Sequence, residues 1–97
     1  MAVLTGSAGV FSHYPNGYMW TGSGERDVLK YVDFPTSFKR KPSVSAALAT
    51  VDSSKDANLR VNVSVQDITN DGFNVRVGTW GDTKLAAVSI SWIAVEG

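Results

Sequence analysis

Arg60-Val61-Asn62-Val63-Ser64-Val65-Gln66-Asp67-Ile68 and Phe73-Asn74-Val75-Arg76-Val77-Gly78-Thr79-Trp80, joined through Asn70-Asp71-Gly72, decide the fold. Successive side chains of a β-strand point to opposite faces, so strict polar–apolar alternation marks a strand with one dry and one wet face. In the first run Val61, Val63 and Val65 share a phase, with Arg60, Asn62, Ser64 and Gln66 opposite. In the second, Phe73, Val75, Val77 and Thr79 point inward, while Asn74, Arg76, Gly78 and Trp80 point outward. Asn-Asp-Gly between two such runs predicts a hairpin whose glycine takes a positive φ. Both strands keep valines inward, so a one-residue slip is forbidden and two registers remain. One sets Val63 against Val77 and Arg60 against Trp80. The other closes a three-residue loop and sets Arg60 against Asp82.

The same period of two extends outward from this hairpin. Val88 to Val95 places Val88, Ile90, Trp92 and Ala94 on one side and Ser89 and Ser91 on the other. Ser43 to Val51 alternates through Val44, Ala46 and Leu48, and Val28 to Phe34 does so more weakly through Val28, Val32 and Phe34. Pro35 and Pro42 bracket an extended connection, and Gly81-Asp82-Thr83 separates the last two strands. In the first 27 residues, rich in glycine, serine and aromatics, Val3 to Ser7 reads as an edge strand. The rest of that segment reads as structured loop, with a turn over Tyr14-Pro15-Asn16-Gly17. No helical stripe competes. Five or six short strands without a helix predict an all-β antiparallel sandwich or small barrel.

Composition narrows the chemistry. The 97 residues predict a single domain over 1–97, large enough for one core. Nine basic side chains balance nine acidic ones, which removes the electrostatic case for nucleic acid. No apolar stretch approaches the ~20 residues of a membrane helix, so no membrane insertion is expected. Met1-Ala2-Val3-Leu4-Thr5-Gly6 lacks the basic start and apolar core of a secretory signal, leaving the compartment open. Cysteine is absent and His13 is the one histidine, so disulfides, thiolate metal sites and a cysteine nucleophile are excluded. No cofactor, metal site or catalytic residue is expected. Ser, His and Asp occur without the strand-to-helix elbow of a hydrolase, and Gly22-Ser23-Gly24 lacks the setting of a dinucleotide fingerprint.

Trp80 breaks the pattern, a large ring on the outward phase. It either contacts a ligand or packs against the sandwich end or a sister subunit. In both registers Arg60, Trp80 and Asp82 gather at one end of the sheet. Arginine's fork of donors, a carboxylate acceptor and an indole face together suit a sugar, and equally a plain cross-strand ion pair. His13 reads as structural or incidental, Asp27 as a solvated or capping carboxylate, and Asn62-Val63-Ser64 as a sequon discounted because it lies mid-strand in a sequence without a secretion signal. Trp20 and Trp92 are expected in the core.

At these residues the chain resembles the H-type lectin domain. The resemblance rests on Asn58-Leu59-Arg60-Val61, Gly72-Phe73, Thr79-Trp80, Asp82-Thr83-Lys84 and Ser89-Ile90-Ser91-Trp92-Ile93-Ala94. Phe34, Phe38, Lys41-Pro42, Val44, Leu48 and Asp52 upstream, with Leu4-Thr5-Gly6, extend it over nearly the whole chain. It implies a six-stranded antiparallel β-sandwich, trimer-forming and sometimes doubled to a hexamer. It implies non-enzymatic binding of N-acetylgalactosamine and galactose-type glycans on glycoproteins or glycolipids, at sites between protomers and outside or on the surface of cells. Carried onto this chain, one protomer offers Gly24, Asp27 and Arg60, and its neighbour offers Trp80 and the residue after it, Gly81, with Asp82 alongside. Gly81 replaces a histidine found in the snail members, which removes a pocket wall, and Ala86 stands where an aromatic can occur. Those two departures favour the alternative, a trimeric assembly module whose sugar site has lapsed. The absence of cysteines suits a reducing or cysteine-independent setting.

Overall fold

A computed structural model describes residues 2–12 and 17–97. It contains six strands, β1 (Ala2–Ser12), β2 (Arg26–Asp33), β3 (Ser43–Ser53), β4 (Asn62–Gln66), β5 (Gly72–Thr79) and β6 (Leu85–Glu96), with a short helix α1 (Tyr18–Thr21) after β1. They form two three-stranded antiparallel sheets, β1-β6-β3 and β2-β5-β4. The expected all-β sandwich is present. The two alternating runs pair in the first of the two registers, with Val63 opposite Val77 and Val65 opposite Val75.

Central strands have neighbours on both sides, and the burial follows. Phe73, Val75 and Val77 of β5 are fully buried, as are Ile90 and Ala94 of β6, with Trp92 close behind. Val61, Val63 and Val65, at the sheet edge, are only half-buried. At one end an aromatic cluster closes the core. Phe34 packs edge-on against Phe38 at 5.0 Å between ring centres, and Phe73 and Trp92 each lie within 5.7 Å of it. Such ring pairs add specific geometry to the burial of apolar area. The other end carries α1 and the loops before β2 and after β5.

Several expectations are corrected. The hairpin glycine, Gly72, does not take a positive φ; Asp67 does, at 56°. The connection runs over residues 67–71, and Gly72 already belongs to β5, where a β-carbon would collide with the Tyr31 ring and the Val32 carbonyl. Gly72 is required for close packing, not for turning. The first strand does not stop at Ser7 but runs to Ser12 along β6. A bulge between Gly9 and Phe11 turns both Val10 and Phe11 inward. A helical turn, α1, stands where only loop was expected, and its buried residue is Met19 rather than Trp20, which is half-buried. Leu48, expected inward, is exposed at the irregularity in β3 between Leu48 and Thr50. His13 and most of the Tyr14–Gly17 turn lie outside the described residues. No helix among the described residues is long and apolar enough to cross a membrane.

Candidate functional site

The outward face of sheet β2-β5-β4 has a row in which Asp27 of β2, Gly78 of β5 and Asn62 of β4 stand side by side. Gly78 has no side chain, so the row dips in the middle. Arg76, two residues earlier on the same phase, lies over that dip; a β-carbon on Gly78 would come within 2.9 Å of its Nη1. The guanidinium is fixed from one side by Asp27, whose Oδ2 accepts from Arg76 Nε at 2.7 Å. Trp80, 45% exposed, forms the rim beside Asn62 and Glu25. The depression runs on past Glu25 and Arg76 to Asp27. Its lining combines an apolar ring with a guanidinium, two carboxylates and an amide, all in reach of solvent.

A second cluster lies beside it. Arg60 Nη1 donates to Asp82 Oδ1 at 2.6 Å, and the Asn58 side chain and backbone N–H also donate to that carboxylate. These donors, Arg60 first and the Asn58 backbone next, hold the Asp82 carboxyl below its ordinary value, because they stabilise its charged form. Two buried threonines anchor the extended segment before β4: Thr79 Oγ1 donates to the Arg60 carbonyl, and Thr83 Oγ1 to the Asn58 carbonyl at 2.5 Å. Both hydroxyls tie the Asn58–Arg60 segment to the loop that carries Gly81 and Asp82.

Gly24 and Gly81 are brought together. The Gly24 N–H donates to the Gly81 carbonyl at 2.9 Å. Both glycines take positive φ, 74° and 70°, a region L side chains rarely enter. The structure therefore unites the sequence-derived residues in two groups: Arg60, Gly81, Asp82 and Gly24 around the last loop, and Asp27 with Trp80 along the sheet face. Asp27 pairs with Arg76 and not with Arg60. Arg76, Glu25 and Asn62 complete the depression although sequence reasoning did not single them out as contacts. Their signal was available for two of them, since Arg76 shares the outward phase of Trp80 and Asn62 that of Arg60. Arg26 had a fainter one, a basic residue on the inward phase of Val28 and Val32.

Comparison with known proteins agrees with the fold. The family model described as the H-type lectin domain matches residues 29–95. Arg60, Trp80, Gly81 and Asp82 fall inside that span, and Gly24 and Asp27 precede it. Discoidin-2 of Dictyostelium discoideum is 31% identical over 77 residues, covering 78% of this chain and 30% of that protein. A protein of Fuscovulum blasticum named ATP synthase subunits region ORF 7 is 38% identical over 96 residues, covering 98% of this chain and 84% of the relative. The crystal structure of recombinant discoidin II of Dictyostelium discoideum superposes with a TM-score of 0.84 at 27% identity, over 98% of this chain and 36% of that one. The chain thus spans about a third of the discoidins it matches. It belongs to the H-type lectin domain family, whose members bind carbohydrates without transforming them.

Proposed function

We propose that this domain binds terminal N-acetylgalactosamine and galactose-type glycans, through sites shared between protomers of a trimer or hexamer. The carrying observation is the exposed Trp80 indole at the rim of a polar depression floored by Gly78 and bounded by Asn62, Glu25, Arg76 and Asp27. An indole face suits the C–H side of a galactose-type ring, and carboxylates and guanidinium nitrogens suit its hydroxyls. Asp27, Arg60, Gly24, Trp80, Gly81 and Asp82 are the proposed contact residues. On a single chain the indole stays open to solvent, which supports completion of the site by a neighbour. The outer face of sheet β1-β6-β3 supports assembly too: its outward positions from Val3 to Gly9, Ser43 to Ala47 and Ser89 to Val95 carry no charge.

A lone sugar site of this kind binds near the millimolar range, about −4 kcal/mol. Several sites on one particle raise avidity by about 10²–10⁴ on a dense glycan surface. Agglutination then follows from multivalency.

A glycan array, repeated with free N-acetylgalactosamine and galactose as competitors and paired with a solution mass measurement, tests this. Hits on galactose-terminated glycans that the free sugars suppress, from a trimer or hexamer, are the expected result. A folded oligomer giving a blank array would move the reading to an assembly module, which Gly81 and Ala86 favour.

A further inference from the structure

Arg26 is a buried arginine, 8% exposed, and among the described residues no carboxylate pairs with it. All five of its N–H donors point at main-chain carbonyls. Nε donates to Gly24 at 3.0 Å; Nη1 donates to Tyr18 and Met19 at 3.4 and 3.1 Å; Nη2 donates to Gly81 and Thr83 at 3.4 and 2.7 Å. Three separate segments therefore end on one guanidinium: the helical turn α1, the Gly24 loop before β2, and the Gly81–Thr83 loop after β5. A buried cation without a counter-ion is costly unless dipoles surround it, and here the converging carbonyls fill that role. Only a planar fork reaches three directions at once; an ammonium on a lysine stem does not. The path of the side chain is also kept clear, since a β-carbon at Gly22 would stand 2.9 Å from Arg26 Cδ.

We infer that Arg26 is a positioning residue of the glycan site, an inference that rests on the carbohydrate reading above. It touches no ligand. It sets the Gly24 loop and the start of β2 against the Trp80–Thr83 loop, so that residues from both meet a sugar in one fixed geometry. The Gly24 N–H bond to the Gly81 carbonyl is the local sign of that coupling. A site held ready in this way spends less of its binding energy on ordering loops.

The test uses Arg26→Lys and Arg26→Gln, with Gly22→Ala as a variant that keeps the charge but crowds both the Arg26 stem and the Tyr18 carbonyl that the guanidinium holds. Amide hydrogen exchange reads the Gly24 N–H, and titration with galactose and N-acetylgalactosamine reads affinity. Expected in each variant that keeps its β5 and β6 amides protected is faster exchange at Gly24 and about tenfold weaker sugar binding. Where the Arg26 variants do not fold, Gly22→Ala decides by the same two readouts. Gly24 exchange unchanged, or sugar affinity unchanged, in the folded variants overturns the inference. A wild-type chain that binds neither sugar overturns the carbohydrate reading, and Gly24 exchange then still decides whether Arg26 couples the loops.

Discussion

The Arg60 guanidinium lies across Gly81: a β-carbon there would stand 3.0 Å from its Nη1 and 3.3 Å from its Cζ. The sequence suggested that glycine in place of the family histidine leaves a wall missing. In the folded chain the space is taken by Arg60, which reaches over the glycine to Asp82 at 2.6 Å. Gly81→His should therefore do two things. It forces a side chain into a φ of 70°, costing about 1–3 kcal/mol, and it pushes the guanidinium off Asp82. Chemical denaturation reads the first. A carboxyl titration by NMR reads the second, as a rise of the Asp82 value toward the usual range; a titration left where wild type has it would refute the displacement.

Asp82 also makes a pH prediction. Its folded value is held below the ordinary carboxyl value of 3.8, chiefly by Arg60 and then by the Asn58 backbone. A carboxylate whose folded value is depressed contributes stability that is fully present above its unfolded value and lost as pH falls through the folded one. Loss thus begins on acidification toward 3.8 and continues below it. Asp82→Asn should lower the neutral-pH melting temperature slightly, because the pair is solvent-exposed and worth little, and the two profiles should converge on acidification as the wild-type carboxyl takes up its proton. Parallel profiles for the two proteins down to the acid limit would contradict the assignment.

Gly6 faces Trp92 across the β1/β6 ladder, and a β-carbon on it would meet the indole at 2.7 Å, on Cζ2. The indole is wedged between the sheets against Phe34 and Phe73 and has no free direction to yield. Gly6→Ala is therefore an overpacking change and should destabilise by about 1–3 kcal/mol. Urea unfolding followed by tryptophan emission measures it. An unchanged midpoint would mean that β1 shifts outward to accept the methyl group.

The central strands were legible in the sequence because Phe73, Val75 and Val77, or Val88, Ile90 and Trp92, are large and strictly alternate. The far half of β1 was not, although its inward phase, Leu4, Gly6, Ala8 and Val10, also alternates. Ala8 and Gly9 put no large side chain into that alternation, and the bulge between Gly9 and Phe11 breaks its period. Trp80 was legible as an outward ring, and Asp82 as its neighbour. Arg26 was not, because a charged residue opening a strand ordinarily faces water, and the carbonyls that neutralise it come from positions 18 to 83.

Trp80 and Trp92 should separate binding from stability. They lie on opposite phases of their strands. Trp80 is 45% exposed and fills no core position, whereas Trp92 is 6% exposed and touches Phe34 and Phe73 at 5.5 and 5.7 Å between ring centres. Trp92→Ala leaves a cavity among rings that cannot collapse into it, and such truncations cost about 3–5 kcal/mol. Trp80→Ala removes half-solvated surface and should cost no more than about 1 kcal/mol. It also deletes the apolar face of the proposed site, so glycan binding should vanish from a protein that melts close to wild type. Paired melting curves and glycan-array readings on the two variants check this. A Trp80→Ala protein that binds glycans as wild type does would place the sugar elsewhere. A Trp80→Ala protein that unfolds with Trp92→Ala would make the exposed ring a packing residue instead.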